Sequence, residues 1–176
     1  MRKIVLNLAM SLDGYICDEA GGFDWILGQD DRTLDTDNKF DFDAFLDSVD
    51  TIVMGSLAYE DCILSGLESF DNHHKIVATT RQLTPFKNTE FISGDIVSQI
   101  KELSGEVGKD IWLFGGSGLT DHFVKADAID QYIIAIIPTI LGEGRRLFNS
   151  NYGKIDLHLD QVNLDDGITI LTYTKR

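Results

Sequence analysis

The chain has 176 residues, 43% of them hydrophobic and 25% charged, with 29 acids against 15 bases and a net charge of −14. That length suits a single domain, 1–176, with a sizeable core, and the composition is that of an ordinary globular protein. So acidic a chain repels nucleic acid and anionic lipid, so an anionic ligand must be held by local features such as helix ends or single arginines.

In chain order, residues 3–10 (KIVLNLAM) predict a strand, and residues 17–39, rich in Gly and Asp, predict a long irregular segment. A loop of that length in a compact domain is functional or mobile. A helix is expected over 40–49, a strand over 51–55 (TIVMG) and a helix over 56–64. Strands follow at 75–80 (KIVATT), 89–93 (TEFIS) and 110–115 (DIWLFG), with a helix at 95–104. A helix over 117–126 places Leu119, Phe123 and Ala126 on one apolar face. The last strands are 130–138, 154–164 and 168–175, the final two flanking a DDG turn. Alternating strands and helices with near-continuous apolar strands imply an α/β fold with a buried, mostly parallel sheet and helices on both faces. The alternating last pair implies an antiparallel hairpin at the sheet edge.

Two isolated cysteines, Cys17 and Cys62, point to a reducing, cytoplasmic setting rather than a disulfide framework. No CxxC or Cys/His cluster is present, so no metal site is expected. The apolar run of the N-terminus is too short for a secretory signal, and no run reaches transmembrane length. His73 and His74 have no acidic or cysteine partner at ligand spacing, His122 reads as a mid-helix residue that faces solvent or packs, and Ser117 lacks the GxSxG setting of a hydrolase nucleophile. Trp112 reads as strand core, and the acidic run DFDAFLDSVD as a solvated helix face.

The stretch WLFGGSGLTDHF places Gly115, Gly116 and Gly118 between a strand and a helix. It reads either as a tight turn or as a phosphate cradle, because the first N–H groups of a helix lack internal partners and glycine lets an anion approach. It fits neither GxGxxG nor a P-loop, which disfavours a Rossmann dehydrogenase and a P-loop NTPase. Gly55-Ser56 and Thr79-Thr80-Arg81 end two more strands with small or polar residues. Strand ends of this kind form the crevice of an open α/β sheet, where a nucleotide would lie across them.

NLAMSLDGYI, DTIVMGSLAYE, WLFGGSGLTDHF and DQYIIAIIPTILGEGRRLF occur in that order over most of the chain. Together they resemble the dihydrofolate reductase-like superfamily, in the branch of the C-terminal reductase domain of the bifunctional riboflavin biosynthesis protein. The resemblance implies the three-layer fold of that superfamily. It also implies an NADPH-dependent hydride transfer to a pterin or a ribosylaminopyrimidine, and a homodimer, with YIIAIIPTIL as a candidate interface or core strand. By resemblance, the backbone of Ala9 and Ile16 meets the nicotinamide, and Gly115, Gly116, Ser117, Gly118 and Leu119 cradle the pyrophosphate. Gly55 and Ser56 flank the cofactor, and Thr79, Thr80 and Arg81 lie near the adenosine ribose. The segment from Leu12 to about Trp25 covers the nicotinamide. Arg145 is the residue for an anionic substrate group, with a surface turn as the alternative.

The chain departs from the family's Gly-Arg-x-Thr after the second strand, reading Gly55-Ser56-Leu57-Ala58. That loss opens NADH as an alternative cofactor. A carboxylate that helps protonate the acceptor follows a tryptophan in dihydrofolate reductases. Here Trp25 is followed by Asp30 and Asp31, with Asp30 at the closer spacing and an acid-rich solvated loop as the alternative. Asp13, in the LDG turn, is a turn former first and a substrate contact second. The competing readings are a catalytically silent nucleotide-binding module of the same fold and a flavin or other nucleotide binder.

Overall fold

The computed structural model describes residues 1–149 and 152–176, together with the backbone but not the side chains of Cys62–Ser65, Leu67 and Glu68. Its strands are β1 (Ile4–Ser11), β2 (Tyr15–Cys17), β3 (Val49–Gly55), β4 (His74–Ala78), β5 (Thr89–Ile92), β6 (Asp110–Gly115), β7 (Gln131–Ile137), β8 (Arg145–Arg146), β9 (Leu157–Asp165) and β10 (Ile168–Lys175). Its helices are α1 (Phe42–Ser48), α2 (Ser56–Ser65), α3 (Ile96–Ser104) and α4 (Ser117–Lys125), with a 3-10 turn at Leu67–Phe70.

The eight-stranded sheet runs β5-β4-β3-β6-β1-β7-β10-β9. Its pairs from β5 to β7 are parallel, while β10 runs antiparallel to both β7 and β9. Asp166 and Gly167, with φ of 52° and 77°, close the β9–β10 hairpin. Two consecutive left-handed residues match the twist of the flanking strands, which is why Asp-Gly suits that turn.

Two cores separate the three layers. On one face Ile100 of α3 and Leu119, Phe123 and Val124 of α4 pack against Ile4, Leu6, Val53, Ile111 and Leu113. On the other, Phe45 of α1 and Tyr59 of α2 pack against Val5, Ile52, Met54, Val77, Trp112 and Ile133. Alternate residues of β1 and β6 feed opposite cores, as the strand period of two requires. Asp41 caps α1 by accepting from the Ala44 N–H at 2.8 Å, and Asp95 caps α3 by accepting from the Ser98 N–H at 3.1 Å.

Two elements were not expected from the sequence. β2 and β8 form a two-stranded sheet of their own, pairing Tyr15 with Arg146 and Cys17 with Arg145. The irregular segment therefore begins only after Cys17, and it is tied down rather than free. Gln29 and Thr36 donate backbone hydrogen bonds to Asp166 and Leu164, and Asp166 N–H donates to Asp35. Buried Asn163 donates to the Asn38 carbonyl at 2.7 Å. The hairpin thus holds the long loop. The candidate interface YIIAIIPTIL is instead largely strand β7, paired on both sides, with Tyr132, Ile133, Ile134 and Ile137 buried. Cys17 is a buried free thiol, and the Cys62 side chain lies outside the described residues.

Candidate functional site

The strands of the parallel part end at one edge of the sheet, and a cleft of about 1040 Å³ crosses that edge from β5 to β10. Ser93, Gly94, Thr79 and Thr80 line one end, after β5 and β4. Gly55 and Ser56, then Gly116, Ser117, Gly118 and Leu119, line the middle. Ala9, Ile16 and Arg145 also border it.

The middle section is open for a structural reason. Gly116 is the N-cap of α4 and offers no side-chain cap, and the first return bond of the helix is Thr120 N–H to Gly116 O at 3.0 Å. The N–H groups ahead of it are left to the cleft, at the positive end of the helix dipole. A Cβ at Gly116 or Gly118 would meet nothing within 4 Å, so the bare backbone there borders open space rather than a packed neighbour. Gly115, with φ of 101°, sits behind, where a Cβ would come within 3.2 Å of Thr120 Oγ1.

The far end is aromatic. Phe40, Phe42, Phe70, Trp112 and Phe114 all border the cleft. Trp112 stands at the hub, edge-on to Phe70 at 5.5 Å and to Phe42 at 5.9 Å between ring centroids, and 5.1 Å from Phe114. Such contacts fix ring orientation. Its Nε1 donates to the Asn7 carbonyl at 2.9 Å. Phe70 is positioned by Lys75, whose fully buried ammonium donates to the Phe70 and His73 carbonyls at 2.7 and 3.2 Å. Burial pushes that lysine's pKa down. Ala9, Ala135 and Asn7 border the same cleft.

Arg81 is absent from the lining. Its guanidinium meets both carboxylate oxygens of Glu60. Gly115 is likewise behind the lining rather than in it. Trp25, whose Nε1 donates to the Gly22 carbonyl at 3.2 Å, and exposed Asp30, at φ of 58°, also lie outside it. Asp13 does too, and its carboxylate is engaged in the turn. It accepts from Ser11 Oγ at 2.6 Å and from the Leu141 and Gly142 N–H groups at 3.1 and 2.8 Å. The structure therefore does not bring Trp25, Asp30 and Asp13 together around the cleft.

The Ser11 hydrogen bond, joined by those of Gly142 and Leu141, holds the Asp13 pKa down at about 2. A depressed carboxylate stabilises the fold above its ordinary pKa, and that contribution is lost as pH falls through the lower value. The clamp between the β1–β2 turn and the loop after β7 should therefore hold at neutral pH and loosen from about pH 4 down to about 2. Asp13→Asn should remove this pH-dependent part. Amide exchange at Leu141 and Gly142 followed against pH checks it, and unchanged protection in both proteins would contradict it.

Several cleft residues were not singled out from sequence: Asn7, Phe40, Phe42, Phe70, Phe114 and Asp61. Phe42 and Phe45 lie in the run read as a solvated helix face, and their near-parallel rings, 6.0 Å apart, turn toward Trp112 instead. His122, read as facing solvent or packing, is exposed at the rim of the cleft. Among the described residues no group of His, Cys, Asp and Glu is placed to hold a metal ion, and no helix is long and apolar enough to cross a membrane.

The RibD C-terminal domain family model matches residues 2–169. YwjB of Bacillus subtilis (strain 168), an uncharacterized protein, is 34% identical over 90% of this chain and 89% of its own length. A riboflavin biosynthesis protein from Shewanella sp. PV-4 superposes with a TM-score of 0.82 at 26% identity, covering 100% of this chain and 99% of that one. A dihydrofolate reductase from Enterococcus faecalis, in complex with NADP(H), shares the fold with a TM-score of 0.68 at 16% identity, over 99% of this chain and 96% of that one. With a mixed, mostly parallel sheet, helices on both faces and an antiparallel C-terminal hairpin, the chain has the dihydrofolate reductase-like fold and belongs to the RibD C-terminal domain family.

Proposed function

We propose that this protein is a nicotinamide-dinucleotide-dependent reductase that passes hydride to a pterin-like or ribosylaminopyrimidine-like ring. The observation that carries this reading is the union, in one cleft, of an uncapped helix N-terminus behind bare glycines and an aromatic end built on Trp112. The donor N–H groups of α4, with Ser117 and Ser56, would hold the pyrophosphate. The strand ends at Thr79, Thr80, Ser93 and Gly94 would take the adenosine, and Ala9 and Ile16 the nicotinamide. When bound, the dinucleotide supplies the hydride, and the chain's task is to hold donor and acceptor rings face to face away from water. The aromatic end would orient the acceptor by stacking, and Arg145, with no ion-pair partner among the described residues, would take an anionic substituent. Pairing of two copies along β9, an edge strand that exposes Leu159 and Val162, accompanies this reading.

The test is oxidation of NADPH by the purified protein in the presence of dihydrofolate or a ribosylaminopyrimidine. Acceptor-dependent oxidation is the expected result. Binding of the dinucleotide without turnover over both acceptor classes would favour the second reading, a silent binding module. That reading draws on the positions of Asp13, Trp25 and Asp30 outside the cleft lining.

The cofactor's 2′-phosphate meets an unusual arrangement. Ser56 carries no charge, and Glu60 both occupies Arg81 and adds a carboxylate beside it. The reading takes NADPH as cofactor, with NADH accepted as well. Glu60→Gln is expected to free Arg81 and improve the affinity for NADPH relative to NADH by about fivefold, the scale of one exposed ion pair. Dissociation constants for both dinucleotides check it, and an unchanged ratio would separate Arg81 from cofactor choice.

A further inference from the structure

At the aromatic end of the cleft, Asn7 combines a cleft position with an unused side chain. It sits in β1 opposite Ile133 of β7, two residues after Val5 of the α1-side core, so its side chain shares the face that carries Trp112. Its backbone carbonyl is taken by Trp112 Nε1 at 2.9 Å. Its carboxamide is not: Nδ2 is buried and has no hydrogen-bond partner. The side chains that share this end of the lining are apolar apart from Ser69, next to Phe70, namely Phe40, Phe42, Phe70, Trp112 and Phe114, with Ala9, Ala135 and Ile170 alongside. Among the described residues the one carboxylate of the cleft lining is Asp61, carried by α2 rather than by the sheet.

A terminal carboxamide carries both a donor and an acceptor and no charge. It matches a group that offers the same pair in reverse. A lactam edge, –CO–NH–, does so. A protonated amidine edge offers donors only and calls for a carboxylate. Buried polar groups left unpaired also discriminate strongly, because a ligand that cannot use them leaves them unsatisfied.

We propose that Asn7 is the specificity-determining residue of the acceptor end, and that it selects a neutral planar heterocycle presenting a lactam edge over a cationic diamino ring. This rests on the assignment of the aromatic end as the acceptor site. The rings of Phe42, Phe70 and Trp112 supply apolar surface to the flat heterocycle, and the Asn7 carboxamide fixes which edge faces the strand.

The test is calorimetric titration of the full chain, without dinucleotide and in buffer acidic enough to protonate the diamino ring, with lumazine (pteridine-2,4-dione) and with 2,4-diaminopteridine. The wild-type protein is expected to bind lumazine at least tenfold more tightly. Asn7→Leu should weaken lumazine binding at least tenfold with no loss of thermal stability, since it removes an unpaired amide. Asn7→Asp, close in size, should reverse the preference toward the diamino ring. The inference is overturned if the wild-type protein prefers 2,4-diaminopteridine, if lumazine shows no saturable binding, or if Asn7→Leu binds lumazine as the wild type does. Because no dinucleotide enters the experiment, its outcome is separate from that of the reductase reading. Lumazine selectivity without dinucleotide binding would remove the reductase alone, and turnover indifferent to Asn7 would remove this inference alone.

Discussion

Gly118→Asp is expected to abolish dinucleotide binding while leaving the fold at least as stable. Gly118 lies in the first turn of α4, and a Cβ there meets nothing within 4 Å, so the backbone accepts a side chain without displacement. Its φ is not in the left-handed region, so an L-residue fits the conformation. A carboxylate in the first turn favours the helix dipole by about 0.3–1 kcal/mol, and replacing glycine removes its entropic cost. The same carboxylate sits where the proposed pyrophosphate needs donors. At about 4 Å, two like charges near a protein surface repel by roughly 4 kcal/mol. A loss of at least about 100-fold in affinity follows, even after allowance for screening. Thermal melting and dinucleotide titration of the same sample read the two effects separately. Equal affinity in the variant would mean that the glycine joint is only a turn.

Arg2→Met carries the largest expected effect on stability, and it should spare the cleft. Arg2 is buried beneath the N-terminal ends of the strands, where its guanidinium pairs with Asp50 and donates to Thr51 Oγ1 and the Lys109 carbonyl. Asp50 also accepts from the Lys109 N–H at 2.8 Å. The pair thus joins the N-terminal segment, the start of β3 and the loop before β6. Gly108 makes room for it, since a Cβ there would come within 3.0 Å of Arg2 and Asp50. Removing Arg2 takes its charged partner from Asp50, which is 40% exposed and keeps the Lys109 and Thr51 donors, and leaves the Lys109 carbonyl without the Arg2 donor, which together costs about 2 kcal/mol. For a domain of this size the melting temperature should fall by roughly 4–8 °C. Burial alone would raise the Asp50 pKa, but the Lys109 and Thr51 hydrogen bonds and the Arg2 charge outweigh it and hold it below the usual value. The stabilisation it brings is therefore present at neutral pH and lost on acidification below the ordinary carboxylate range. Arg2→Met should make that acid limb shallower, because the Lys109 and Thr51 hydrogen bonds remain. A variant with wild-type melting at neutral pH would contradict the account.

The fold was legible because its signals are local. β-branched runs such as KIVLNL and TIVMG mark buried parallel strands, the Asp-Gly turn marks the hairpin, and the glycines at 115–118 mark the strand-to-helix joint. β2 and β8, of three and two residues, are too short to carry a period, and their pairing spans about 130 residues of chain. The aromatic end of the cleft was hidden for a related reason. Phe40 and Phe42, Phe70, Trp112 and Phe114 come from separate stretches that only the sheet order brings together. The acid-rich run over α1 masked Phe42 and Phe45, because Asp41 and Asp43 satisfy the pattern of a solvated face while the buried Phe45 ring and the partly exposed Phe42 ring both stand edge-on to Trp112. The Trp25–Asp30 spacing pointed to an acid near the acceptor. Hydrogen bonds from Gln29, Asp31 and Thr36 to the β9–β10 hairpin hold that part of the loop, and these contacts span more than 100 residues of chain. Arg81 reads in sequence as a residue near the adenosine ribose, and its pairing is hidden there because its partner Glu60 lies 21 residues away on α2.

The measurement that tests the central claim most directly is a titration of the purified protein with NADPH and NADH, read by nicotinamide fluorescence, with Gly118→Asp run alongside. Saturable binding of a dinucleotide to the wild-type protein, lost in Gly118→Asp, is the predicted result. No binding of either dinucleotide by a folded wild-type protein would contradict the reductase reading.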